Sequence, residues 1–190
     1  MNRKFLAARE DLVERIKDFA KKRNLTLYSV VNDILEQFLK VEDAGKTLSQ
    51  VVEEYNIVKA VKDAGFILTP KTLWYELLEK QHNPDSIIKF WGEVGEWFGK
   101  YCKTVFPQES LPKLLEKTIN TIFWDLSECV LKMDSEKVLI RCISSGYSEL
   151  QTNILWAFLS GMMKAFNYKA SKKEILKGIV VAIFGREVGE

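Results

Sequence analysis

Residues 10–40 read EDLVERIKDFAKKRNLTLYSVVNDILEQFLK, and this stretch decides how the chain is organised. Leu12, Val13, Ile16, Phe19 and Ala20 fall on one face of a 3.6-residue period, with Glu14, Arg15, Lys17, Asp18, Lys21 and Lys22 filling the other side. The spacing predicts a helix over Glu10 to Arg23. Glu10 and Asp11 at its start, and Lys21-Lys22-Arg23 at its end, complement the helix dipole. Asn24 tolerates the left-handed backbone that ends a helix, and Thr26 is a good cap for the next one. That second helix is predicted over Leu27 to Lys40, with Val30, Val31, Ile34, Leu35, Phe38 and Leu39 on a wide apolar stripe. A unit this small cannot bury two such faces alone. Two copies of the chain are therefore expected to interlock through them as a homodimer.

Ahead of the first helix lies a short arm, Arg3-Lys4-Phe5-Leu6-Ala7-Ala8. Leu12, Ile16, Phe19-Ala20, the basic turn Lys21-Lys22-Arg23-Asn24, Val30-Val31, Ile34 and Phe38-Leu39 together resemble the ribbon-helix-helix family of DNA-binding regulators. The resemblance implies that two arms pair as an antiparallel ribbon in the major groove. It places Arg3, Phe5 and Ala7 toward the bases, and Thr26, Tyr28 and Ser29 near a phosphate held at the second helix's N-terminus. Lys4, Lys21, Lys22 and Arg23 would add phosphate attraction. The arm departs from the family pattern: Phe5 and Ala7 carry no hydrogen-bonding side chain, and Arg9 stands where the family has a proline.

Beyond Gly45 the periodicity predicts a helix over Val51 to Lys62 and another around Leu73, Trp74, Leu77 and Leu78. Ala64 to Thr69 reads as a turn and short strand that Pro70 stops. Ile87, Ile88, Trp91, Val94, Trp97, Phe98 and Tyr101 then mark a strong helix that also carries Gly92, Gly95 and Gly99. Each glycine costs a helix about 1 kcal/mol relative to Ala. Close approach of the backbone to another helix, or to a ligand, would offset that cost. After a helix over Leu111 to Thr118, the segments 121–124, 129–131, 137–143 and 179–184 read as strands, with a turn at Asp134-Ser135. Between the last two lies an apolar helix over Glu149 to Phe166, with Gly161 inside it. The expected class is α+β: a ribbon-helix-helix module over residues 1–44, then over residues 45–190 a small antiparallel sheet packed by apolar helices.

Phe66-Ile67-Leu68-Thr69-Pro70 before an apolar helix, Gly95-Glu96-Trp97-Phe98-Gly99, and Phe158-Leu159-Ser160-Gly161-Met162-Met163 followed by Gly178 resemble the four-vinyl-reductase type of small-ligand domain. That family shares its fold with haem-nitric-oxide-binding domains. The resemblance implies a site for a small apolar ligand, or a surface for a partner, in this half of the chain. Aromatic side chains on the two glycine-bearing helices make Trp91, Gly95, Trp97, Phe98, Trp156, Phe158 and Met162 the candidate ligand-binding residues. Family members often carry metal-ligand cysteines at positions that here are Ile175 and Ala182. The haem-binding relatives use a histidine, and this chain has only His82, in a polar turn.

Composition restricts the remaining possibilities. Net charge is +2, so no whole-chain field points to nucleic acid, but residues 1–40 hold nine Lys/Arg against six Asp/Glu. Cys102, Cys129 and Cys142 form no Cys-x-x-Cys pair, so neither a metal nor another cofactor is expected. No nucleophile elbow, phosphate loop or zinc-protease motif occurs, and no catalytic residue is assigned. No run approaches the length of a membrane-spanning segment, and the odd cysteine count predicts a reducing, cytoplasmic setting.

Overall fold

The computed structural model describes residue 4 and residues 6–134 and 137–187. Among them are seven helices and one four-stranded antiparallel sheet, an α+β architecture. The helices are α1 (Glu10–Lys22), α2 (Leu27–Asp43), α3 (Leu48–Asp63), α4 (Lys71–Glu79), α5 (Pro84–Val105), α6 (Leu111–Ile122) and α7 (Glu149–Ala165). The strands are β1 (Glu128–Met133), β2 (Lys137–Ile143), β3 (Tyr168–Leu176) and β4 (Ile179–Arg186), in the order β1-β2-β4-β3. The chain divides into two compact units between Glu53 and Glu54, within α3.

The first unit is the helix pair. Asn24 adopts φ 54 between α1 and α2, and the Thr26 hydroxyl accepts the Ser29 N–H at 3.0 Å, satisfying one of the donors a helix start leaves open. Among the described residues of this unit only Ala20 and Val30 are buried. Leu12, Phe19, Ile34, Leu35, Phe38 and Leu39 are all exposed.

The second unit is layered. Along β2 and β4 burial alternates, so Val138, Ile140 and Cys142 pair across the ladder with Phe184, Ala182 and Val180 on one buried face. Helix α7 packs on that face, with Trp156 stacked on Phe184 at 5.8 Å between centroids. Ser148 starts α7 with a capping box: its hydroxyl accepts from the Gln151 N–H, and the Gln151 side chain accepts from the Ser148 N–H at 2.6 Å. Helix α5, capped by Asn83 and led by Pro84, lies against α7.

The α5–α7 contact is backbone to backbone. A Cβ on Gly95 would lie 2.9 Å from the Phe158 Cα, and one on Gly161 would lie 2.8 Å from the Glu96 nitrogen. The helix glycines thus permit close helix approach, the first of the two explanations their cost suggested. The Glu96 carboxylate closes the seam on its outer side by taking Lys100 and Lys164, each at 2.7 Å. Those two hydrogen bonds hold its pKa down to about 2.

Three sequence expectations fail locally. Residues 121–122 end α6 and residues 123–127 form an irregular connection. The repeating core positions Leu114, Leu115, Thr118 and Ile119 override the β-propensity of Thr-Ile-Phe-Trp. Residues 66–70 are irregular, with no strand alongside to pair with them among the described residues. Conversely, β3 exists where no strand was expected. It is an edge strand rich in lysine, with a register shift between Ala170 and Lys172. Such features blunt an edge against further pairing and erase the apolar alternation that marks a strand.

Candidate functional site

The ribbon-helix-helix candidates lie in the first unit. Arg3 and Phe5 fall outside the described residues. Lys4 and Ala7 are exposed and in no regular element. Lys21, Lys22 and Arg23 are exposed at the end of α1, where the Arg23 guanidinium sits 4.9 Å over the Phe19 ring. Tyr28 and Ser29 are exposed on the first turn of α2, beside the Thr26 cap. A basic turn and the capped start of α2 therefore share one end of the helix pair.

In the second unit the ligand candidates separate into groups. Trp91, Phe98 and Phe158 meet at the α5–α7 seam, with ring centroids 6.1 Å apart for Trp91–Phe158 and 6.0 Å for Phe98–Phe158. Gly95 lies against Phe158, and buried Met162 lies beside Gly99. Trp97 is exposed and stacks on Tyr101 at 5.6 Å. Trp156 is over the sheet, with the Lys173 ammonium 5.1 Å from its ring centre. Five of the seven candidates are thus contiguous and two are not. His82 is exposed, between α4 and α5.

Sequence reasoning missed a polar cluster around Asp125. Asp125, in the α6–β1 connection, accepts the Tyr75 hydroxyl at 2.5 Å and the Tyr147 hydroxyl at 2.7 Å, and pairs with the Lys71 ammonium at 3.4 Å. Its backbone carbonyl accepts from the Ser144 hydroxyl. Burial disfavours the charged carboxylate, but the two phenols and the ammonium outweigh it and hold the pKa below the usual range. Burial, reinforced by the carboxylate it faces, pushes the Tyr147 phenol up. The cluster ties α4, the α6–β1 connection and the β2–α7 connection together, and no spacing in the sequence signals it. Nearby in the fold, a groove of about 500 Å³ opens between the end of α4 and the N-terminal turns of α5 and α7, rimmed by Glu79, Asp85 and Glu149.

Among the described residues no group of three His, Cys, Asp or Glu is placed to hold a metal ion, and no helix is long and apolar enough to cross a membrane. No protein-family model matches the chain, and no curated protein matches it. Solved structures of low similarity do align. An oxygen-binding H-NOX domain related to soluble guanylate cyclases, in its oxygen complex, is 12% identical over 83% of this chain and 98% of its own, with a TM-score of 0.34. A chain from "Structural insights into the molecular mechanism of H-NOX activation" is 13% identical over 72% of this chain and 88% of its own, also with a TM-score of 0.34. Similarity at that level says nothing about ligand or activity.

Proposed function

We propose that the chain works as a homodimeric DNA-binding regulator. The α1–α2 pair joins two copies and grips the duplex, and the larger unit senses a small apolar ligand or a partner through the aromatic seam of Trp91, Phe98 and Phe158. The observation that carries this reading is the open apolar face of α1 and α2, where Leu12, Phe19, Ile34, Leu35, Phe38 and Leu39 remain exposed in one chain. A second copy is the economical cover for that face, since the two helices of one chain bury only Ala20 and Val30 between Glu10 and Asp43. Lys21, Lys22 and Arg23 beside the α2 N-terminus supply phosphate attraction.

Fluorescence anisotropy on a labelled duplex tests the DNA arm. Affinity should fall steeply between about 50 and 200 mM salt, and reversing Lys21, Lys22 and Arg23 to Glu should abolish binding. A flat salt response, or no binding of any duplex, removes this reading. Quenching of the Trp91 region by the apolar probe 1-anilinonaphthalene-8-sulfonate, on a tryptophan variant set, tests the sensing arm.

A second reading is a dimer that does not touch DNA and serves as a ligand-binding or scaffold protein. The absence of hydrogen-bonding side chains at Phe5 and Ala7 favours it. Dimerisation that survives charge reversal of the basic turn, with no duplex bound by the native chain, would establish it.

A further inference from the structure

The β1–β2 hairpin sets two cysteines opposite each other. Cys129 and Cys142 are register partners, and their sulfurs lie 3.3 Å apart. Asp134 and Lys137 exchange both backbone hydrogen bonds. Hydrogen-bonded and non-hydrogen-bonded pairs alternate along an antiparallel ladder, so counting back from that pair makes 129–142 a non-hydrogen-bonded pair. In such pairs the Cα atoms stand about 4.5 Å apart and the side chains are closest, within the range a disulfide spans.

The two sulfurs differ in access. Cys142 is buried in the core on the central strand β2, while Cys129 is partly exposed on the edge strand β1. The hydrogen bond shared with Cys142 holds the Cys129 thiol below its usual range, against burial and the carboxylates of Glu116 and Glu128. That same bond, with burial, pushes Cys142 up. The third cysteine, Cys102, is buried in α5 and pushed up to about 12 by burial.

We infer that Cys129 and Cys142 form a reversible thiol–disulfide exchange site whose substrate is a small-molecule disulfide of the glutathione type. The Cys129 thiolate attacks one sulfur of the small disulfide, and the other sulfur leaves as a thiolate and takes up a proton. Cys142 then gives up its proton and attacks the Cys129 sulfur, expelling the second small thiol. Two protein thiols and one small disulfide thus become one protein disulfide and two small thiols, with two electrons passing to the small disulfide. Closure ties the edge strand β1 covalently to β2.

Oxidised glutathione added to the native full chain, followed by intact mass, thiol counting and peptide mapping, tests this. Two of the three thiols should be lost with a mass decrease of only two hydrogens, a peptide should link Cys129 to Cys142, and dithiothreitol should restore both. Cys142→Ser should stop at one glutathionyl adduct on Cys129. If that buried change prevents folding, Cys129→Ser should show neither adduct nor thiol loss, and Cys102→Ala should behave as the native chain. Persistence of all three thiols, a disulfide between chains, or a lasting adduct on native Cys129 would overturn the inference.

Discussion

Gly161 of α7 lies so near Gly92 of α5 that a methyl group at Gly161 would meet both the Gly92 carbonyl carbon, at 3.0 Å, and the Glu96 nitrogen, at 2.8 Å. Both obstacles are helix backbone, which cannot swing aside as a side chain can. Gly161→Ala should therefore destabilise the chain by about 2–3 kcal/mol despite alanine's better helix propensity, from the cost of overpacking a filled core. Gly92→Ala is the contrasting case. Its Cβ would stand 3.7 Å from the Ala157 carbonyl oxygen, an ordinary contact, so that change should stabilise by up to about 1 kcal/mol. Urea unfolding of both variants checks the opposite signs.

The hydroxyl of Thr118 is buried in α6 without a hydrogen-bond partner among the described residues. Valine has the same shape and no polar atom to strand. Thr118→Val should raise stability by about 1 kcal/mol, read as a higher denaturant midpoint at unchanged slope.

Asp125 offers a pH test. Its folded-state pKa is depressed, so its ionised form stabilises the fold above the unfolded carboxylate range, and that contribution is lost as pH falls through the folded value. Asp125→Asn removes a charged acceptor from Tyr75 and Tyr147 and should cost about 1–3 kcal/mol at pH 7. The gap between native and variant should narrow as the solution is acidified below about pH 4. Equal gaps at pH 7 and pH 3 would show that the charge contributes nothing.

Self-association should depend on the open face of α2. Phe38→Lys puts a charge among exposed apolar side chains, where one folded chain tolerates it and a buried interface does not. Sedimentation should show at least a tenfold weaker dimer, equivalent to about 1.4 kcal/mol or more. A native chain that sediments as a stable monomer at micromolar concentration would end the dimer reading.

Loss of the Thr26 cap is a milder change. Thr26→Ala removes the acceptor for the Ser29 N–H and should cost about 1 kcal/mol, visible as fraying of α2 in amide exchange.

Much of the fold was legible because its signals are local. Asn24 and Thr26 mark the α1–α2 turn, and the spacing of Trp91, Val94 and Phe98 marks the face α5 buries. The strand at Tyr168–Leu176 was not legible. Lys169, Lys172 and Lys173 are surface chemistry on an edge, and only the ladder to β4 makes them a strand. The segment Thr121 to Trp124 misled in the other direction, because β-branched and aromatic residues were read without the helix pattern that precedes them. The aromatic seam was half legible: periodicity places Trp91, Phe98 and Phe158 on apolar faces, but it does not tell that Trp156 turns to the sheet and Trp97 to the outside. The Asp125 cluster was invisible, since Tyr75 and Tyr147 reach it across 50 and 22 positions of chain. The cysteine pair was not legible, because a turn at Asp134-Ser135 sets another register than the Asp134–Lys137 exchange that puts Cys129 opposite Cys142.

The strand order β1-β2-β4-β3 joins two hairpins of short reach through one long-range seam, and α7 lies in the chain between β2 and β4. Each hairpin needs only a short loop to close, but the middle seam closes a longer loop that contains α7 and β3. The central ladder, with its rear covered by α7, should be the slowest part of the molecule to surrender its amide hydrogens.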